Sequence, residues 1–128
     1  MIAVDASALL AMLLDEHEAP AFRQMLRAHG GCITPVNHWE VLARAFVVLG
    51  DAGPAAAEAL MDAYEVEVVA ITSDHSRVAA RAFRRFGKRS AGWLNLGDCF
   101  AYALAEIEGD GLLFKGDDFP KTDVKSAL

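Results

Sequence analysis

Cysteine is scarce in this chain: only Cys32 and Cys99 occur among 128 residues, with no C-x-x-C spacing. That excludes a disulfide scaffold and a zinc knuckle, and it fits two buried free thiols in a reducing compartment. An apolar run of the about 20 residues needed to cross a bilayer is also missing. The opening "MIAVDASALLAMLL" has an acid at position 5 and no basic leader, so neither a secretion signal nor a membrane anchor is expected. The expected location is the cytoplasm. Internal repeats and low-complexity tracts are absent. A basic excess is lacking too: the formal net charge is −6. Taken alone, that argues against a nucleic-acid partner, because phosphate contacts need Lys and Arg.

What is present suits a compact fold. The apolar fraction is 54%, and the length predicts one domain over residues 1–128. The charges are segregated. Six of the twelve basic residues fall between 77 and 89: Arg77, Arg81, Arg84, Arg85, Lys88 and Arg89. Acids gather in 15–18, 58–67 and 106–123. A chain that is acidic overall can still carry one basic stripe.

Short apolar runs alternate with helical patterns. Ile2–Val4 reads as a buried strand stopped by Asp5. Asp5 or Ser7 then caps a helix to about Leu14, and Pro20 opens another to about His29. Cys32-Ile33 is a second strand, and Pro35 begins a long helix to about Leu49. An Ala-rich helix spans about 54–64, a third strand 66–71, and a basic helix follows Thr72-Ser73 to about Phe86. A polar loop over 87–95 leads to a helix bearing Asp98 near its start. Leu112–Phe114 is a fourth strand, with a possible edge strand near Val124. This rhythm predicts an α/β fold whose short, mostly parallel central sheet of 4–5 strands is flanked by helices. Ligands of such sheets sit beyond the carboxyl ends of the strands, at a topological switch point. Trp39, Phe46, Met12 and Met61 are expected in the core.

Four acidic stations stand where apolar segments meet turns or open helices: Asp5, Glu40, Asp98 and the pair Asp117/Asp118. Singly, each has a bland reading. Asp caps helices and forms turns, and Glu is a common exposed helix former. Their settings sharpen them. Asp5 lies between an apolar strand and an apolar helix, where a carboxylate is desolvated and a cation relieves the cost. Ser7 supplies a nearby hydroxyl. Asn37, three residues before Glu40, shares its helical face and can hold its carboxylate or contact a phosphate. Gly97 lets the chain approach a ligand closely before Asp98. Of the adjacent Asp117 and Asp118, one is expected to face the site.

Oxygen donors select hard cations such as Mg²⁺ or Mn²⁺, whereas zinc favours His and Cys. The four histidines show no metal spacing. Several carboxylates without a nucleophile–base pair point to hydrolysis by metal-activated water. The Arg77, Arg81, Arg84/Arg85 and Lys88 stripe has two readings. It is either an RNA-backbone contact or a solvated face paired with acids such as Asp74.

At these residues the chain resembles PIN domains, and in particular the VapC toxins of type II toxin–antitoxin pairs. The words "IAVDASALLAMLLDE", "TPVNHWEVLARAF", "LNLGDCFAYALA" and "LLFKGDDFPKTDV" carry the resemblance over nearly the whole chain. It implies a PIN-like three-layer domain and a Mg²⁺- or Mn²⁺-dependent endoribonuclease that cuts RNA, with tRNA or rRNA as typical targets. It also implies neutralisation by a VapB-type antitoxin that inserts a basic side chain among the acids. A homodimer, able to join a larger toxin–antitoxin assembly, is implied as well. Asp5, Glu40 and Asp98 match the family's first three acids. Asp118 is the favoured fourth, with Asp117 as its alternative. On this basis Asp5 and Asp98 are expected to ligate the metal directly, Glu40 and Asp118 to complete the catalytic set, and Ser7 and Asn37 to support it. Two other readings are kept: a PIN-like DNA nuclease with the same metal chemistry, and a non-catalytic RNA-binding module. A phospho-receiver or aspartyl phosphatase needs a second acid beside Asp5, and Ala6 and Ser7 stand there instead.

Overall fold

The computed structural model describes residues 1–87 and 93–128. Four short strands form one parallel sheet: β1 (Ile2–Val4), β2 (Gly31–Ile33), β3 (Val66–Val68) and β4 (Leu112–Leu113). Their order is β3-β2-β1-β4, with Ile2 opposite Gly31, Ala3 opposite Leu112 and Ile33 opposite Val68. The helices are α1 (Ala6–Leu13), α2 (Ala19–His29), α3 (Pro35–Leu49), α4 (Gly53–Ala63), α5 (Ser73–Phe86) and α6 (Leu96–Glu108).

Side chains alternate across the strands and feed two cores. Ile2, Val4, Ile33 and Leu113 face α1–α4, together with Leu9, Met12, Phe22 and Val41. Ala3, Cys32 and Leu112 face α5 and α6, together with Ala79, Leu94, Tyr102 and Leu104. Strands covered on both faces need the unbroken apolar runs seen in the sequence. The result is three layers, as expected. Both cysteines are free and buried, and burial pushes each thiol up to about 11.

Element starts follow local capping chemistry. Thr34 caps α3 through a bond from Asn37 N–H, with Pro35 in the first turn. Thr72 and His75 form a capping box on α5. Beyond β4, Ser126 makes a parallel bridge to Leu112. The edge strand expected near Val124 is therefore this single bridge.

Two expectations need correction. The third strand ends at Val68 rather than position 71, because β2, its pairing partner, ends at Ile33. Met12 and Met61 are core residues, but Trp39 is 68% exposed and Phe46 52% exposed. The core stripe of α3 is Asn37, Val41 and Ala45, which turns the Trp39 and Phe46 side outward. Much of the loop expected over 87–95 lies outside the described residues, and Lys88 with it.

Candidate active site

Strand order 3-2-1-4 reverses direction between β1 and β4, so the switch-point crevice opens beyond their carboxyl ends. Asp5 lies at that point. Its backbone N–H continues the ladder to Leu113 O at 2.9 Å, and its side chain caps α1. Asp5 Oδ2 accepts from Ser7 N–H at 3.0 Å and from the Ser7 hydroxyl at 2.6 Å. Ser7 Oγ also accepts from Lys115 N–H at 2.9 Å. One hydroxyl thus joins the exits of β1 and β4. Asp5 is buried. Desolvation raises its pKa above the usual carboxylate value, and the Ser7 bonds oppose that only in part.

Glu40 projects from α3, half-buried. Asn37 Nδ2 donates to Glu40 Oε1 at 2.8 Å. Desolvation raises the Glu40 pKa, the Asn37 bond lowers it, and the Asp5 charge adds to the rise.

Asp98 is the third residue of α6, in a reciprocal cap with Asn95. Asp98 N–H donates to Asn95 Oδ1 at 2.9 Å, and Asn95 N–H donates to Asp98 Oδ2 at 3.0 Å. A helix N-terminus favours an anion there. Desolvation wins nonetheless, and the Asp98 pKa is raised to about 6, with the charges of Asp5, Asp118 and Glu40 pushing the same way. Asp118 is among the charges that act on Asp98; Asp118 and Asp117 are both exposed.

Asp5, Glu40, Asp98 and Asp118 therefore share one electrostatic environment, although they come from four places in the chain. Among the described residues, no three acid, His or Cys side chains are gathered tightly enough to grip an ion as they stand. The donor chemistry fits a hard divalent cation. The donors are all oxygen, and desolvation and mutual repulsion disfavour their charged forms, which is the cost a cation offsets. Histidines are used elsewhere: His38 pairs with Glu58 at 3.0 Å, and His75 serves the α5 cap. A cleft of about 690 Å³ beside Arg27, Gly30, Asp62 and Glu65 lies at the opposite, amino ends of β2 and β3 and holds none of the four acids.

The basic stripe is only partly available. Arg77 pairs with Asp74 at 3.0 Å, and Arg85 pairs with Asp123 at 3.3 Å. Arg85 also lies 4.7 Å over the Phe86 ring. Arg81 and Arg85 flank a cleft with Tyr102 and Glu106, one and two turns along α6 from Asp98.

Sequence reasoning placed Thr34 at a helix start but gave it no role at the site, and it did not see what Gly97 touches. A methyl group at Gly97 would collide with the Glu40 carboxylate. Thr34 Oγ1 donates to Asn37 Oδ1 at 2.6 Å. The T-x-x-N spacing at the head of a helix was a usable signal for the second contact. Nothing local signals the first.

Comparison with known proteins places these features in a lineage. The PIN domain family model matches residues 2–125. Ribonuclease VapC30 of Mycobacterium tuberculosis is 37% identical over 123 residues, covering 94% of each chain. Ribonuclease VapC42 of the same species is 36% identical over 130 residues, covering 97% of each. The crystal structure of Mycobacterium tuberculosis VapC20, described as a sarcin-ricin loop cleaving toxin, matches with TM-score 0.78. That match covers 100% of this chain and 98% of the other at 16% identity, a likeness of fold.

Proposed function

We propose, from the premise that this chain belongs to the PIN-domain family and to its VapC ribonucleases, that it is a Mg²⁺- or Mn²⁺-dependent endoribonuclease toxin formed by residues 1–128. The observation that carries the reading is the coupling of Asp5, Glu40, Asp98 and Asp118 at the sheet's switch point. Asp5 and Asp98 would hold the cation directly, and Glu40 and Asp118 would complete the donor set. Asp118 is preferred to Asp117 because its charge reaches Asp98. When bound, a divalent cation supplies Lewis-acid chemistry, acidifying water and neutralising charge on the scissile phosphate.

The chain's own groups do the rest. Ser7 aims Asp5 with its hydroxyl. Asn37 aims Glu40. Asn95 fixes Asp98 at the head of α6. Arg81 contacts the RNA backbone, with Arg77 and Arg85 contributing once they leave Asp74 and Asp123. An acid cluster of this kind also suits a VapB-type antitoxin, whose basic side chain competes with the cation. The active form is a cytoplasmic homodimer acting on tRNA or rRNA, and the antitoxin complex is a larger assembly. No helix among the described residues is long and apolar enough to cross a membrane.

The test is incubation of purified protein with RNA and DNA oligomers, with and without EDTA, beside Asp98→Asn. RNA cleavage abolished by EDTA and by the substitution is expected. Cleavage of DNA alone would move the reading to a DNA nuclease. RNA binding without any cleavage would move it to a binding module.

A further inference from the structure

Gly97 is buried in the first turn of α6, one residue before Asp98. A Cβ at this position would overlap Oε1, Oε2 and Cδ of Glu40. The Glu40 carboxylate is therefore seated on the bare Cα of Gly97. Asn37 keeps it there. Its Nδ2 donates to Glu40 Oε1 at 2.8 Å and to Gly97 O at 2.9 Å. Its Oδ1 accepts from the Thr34 hydroxyl at 2.6 Å, and Thr34 Oγ1 accepts from Asn37 N–H at 3.1 Å. Thr34 and Asn37 are both 0% exposed. Both amide donors and the amide carbonyl of Asn37 are in use, so its side chain has one orientation.

We infer that Thr34, Asn37 and Gly97 form a latch of positioning residues that sets the Glu40 carboxylate against Asp98, fixing the spacing of two site acids carried on different helices. The inference rests on the metal-nuclease reading above for its purpose, though not for its geometry. A merely structural link between α3 and α6 would not require glycine. Ala is the better helix former, and the nearest atoms its Cβ would meet are the mobile end of a side chain. An Ala there is accommodated if Glu40 swings away. The bare position matters only if Glu40 has to stay.

The experiment compares wild type, Gly97→Ala, Glu40→Ala and the double variant. Two readouts are used: the Asn37 side-chain amide resonances of ¹⁵N-labelled, metal-free protein, and Mn²⁺ affinity by calorimetry without RNA. Gly97→Ala is expected to stay folded, to shift the Asn37 amide resonances as Glu40→Ala does, and to weaken Mn²⁺ binding about tenfold or more. In the Glu40→Ala background, adding Gly97→Ala causes no further loss, because the group it displaces is gone. Unmoved Asn37 resonances in Gly97→Ala, or an equal further loss in the double variant, would overturn the latch. Should Gly97→Ala unfold, recovery of folding in the double variant supports the contact, and unfolding of both overturns it. Wild type that binds no Mn²⁺ while the Asn37 resonances still shift would sink the metal reading and leave the latch standing.

Discussion

The Ser7 hydroxyl donates to Asp5 Oδ2 at 2.6 Å, on the same oxygen that the Ser7 backbone N–H reaches at 3.0 Å. Ser7 also receives Lys115 N–H, so the residue aims the acid and ties down the loop after β4. Ser7→Ala removes the hydroxyl donor and leaves Lys115 N–H without this acceptor. Groups that orient a metal ligand contribute about 10–100-fold in affinity or activity. Ser7→Ala is therefore expected to lower Mn²⁺ affinity and RNA cleavage by about tenfold, measured by calorimetry and by fluorescent-RNA kinetics. Unchanged values would show that Asp5 holds its orientation through backbone bonds alone.

Asp5→Asn separates stability from activity. Asn also caps helices, and it removes a charge that burial disfavours. The melting temperature of the metal-free protein at pH 7.5 is expected to rise by a few degrees while cleavage falls by orders of magnitude. A variant with near-wild-type cleavage in Mg²⁺ would remove Asp5 from the catalytic set.

The acids also set a pH dependence. Asp98 titrates at about 6 in the fold against an ordinary value of 3.8. Between those values the folded state holds more protons than the unfolded chain, so stability falls as pH rises through the window. Asp5 and Glu40 are shifted in the same direction. In EDTA the melting temperature is expected to be higher at pH 5 than at pH 7.5, and Asp98→Asn is expected to flatten the slope. A melting temperature that rises from pH 5 to 7.5 would contradict this.

A divalent cation reverses that penalty. Mg²⁺ or Mn²⁺ at about 100 times its dissociation constant stabilises a folded-state site by about 2.7 kcal/mol. Thermal unfolding at pH 7.5 should shift upward on titration with either ion and return with EDTA. The shift should be much smaller in Asp98→Asn.

The basic helix is tested through salt. Each phosphate contact on a single strand contributes about 0.7 to the slope of log affinity against log salt. Replacing Arg81 and Arg85 by neutral Gln is expected to reduce that slope by about 1.4. An unaltered slope would place the RNA on another face.

Local rules in the sequence determined much of this protein. Unbroken apolar triplets such as Ile2–Val4 call for strands covered on both faces, and Thr34-Pro35 and Thr72-Ser73 open helices by capping chemistry. An acid directly after a buried strand marks the carboxyl edge of a sheet, which is how Asp5 was found. Periodicity, however, states which residues share a face and not which neighbour that face meets. On α3 the core was expected to take Trp39 and Phe46, and packing instead buried Asn37, Val41 and Ala45 while leaving those two in solvent. Arg85 finds Asp123 in the same way, from a distant turn. The seat of Glu40 on Gly97 depends on α3 and α6 crossing at one height, held by an Asn37 bond that spans 60 residues of sequence. Only the packed layers decide such a meeting, because it arises from the volumes and bonds of residues that no local pattern connects.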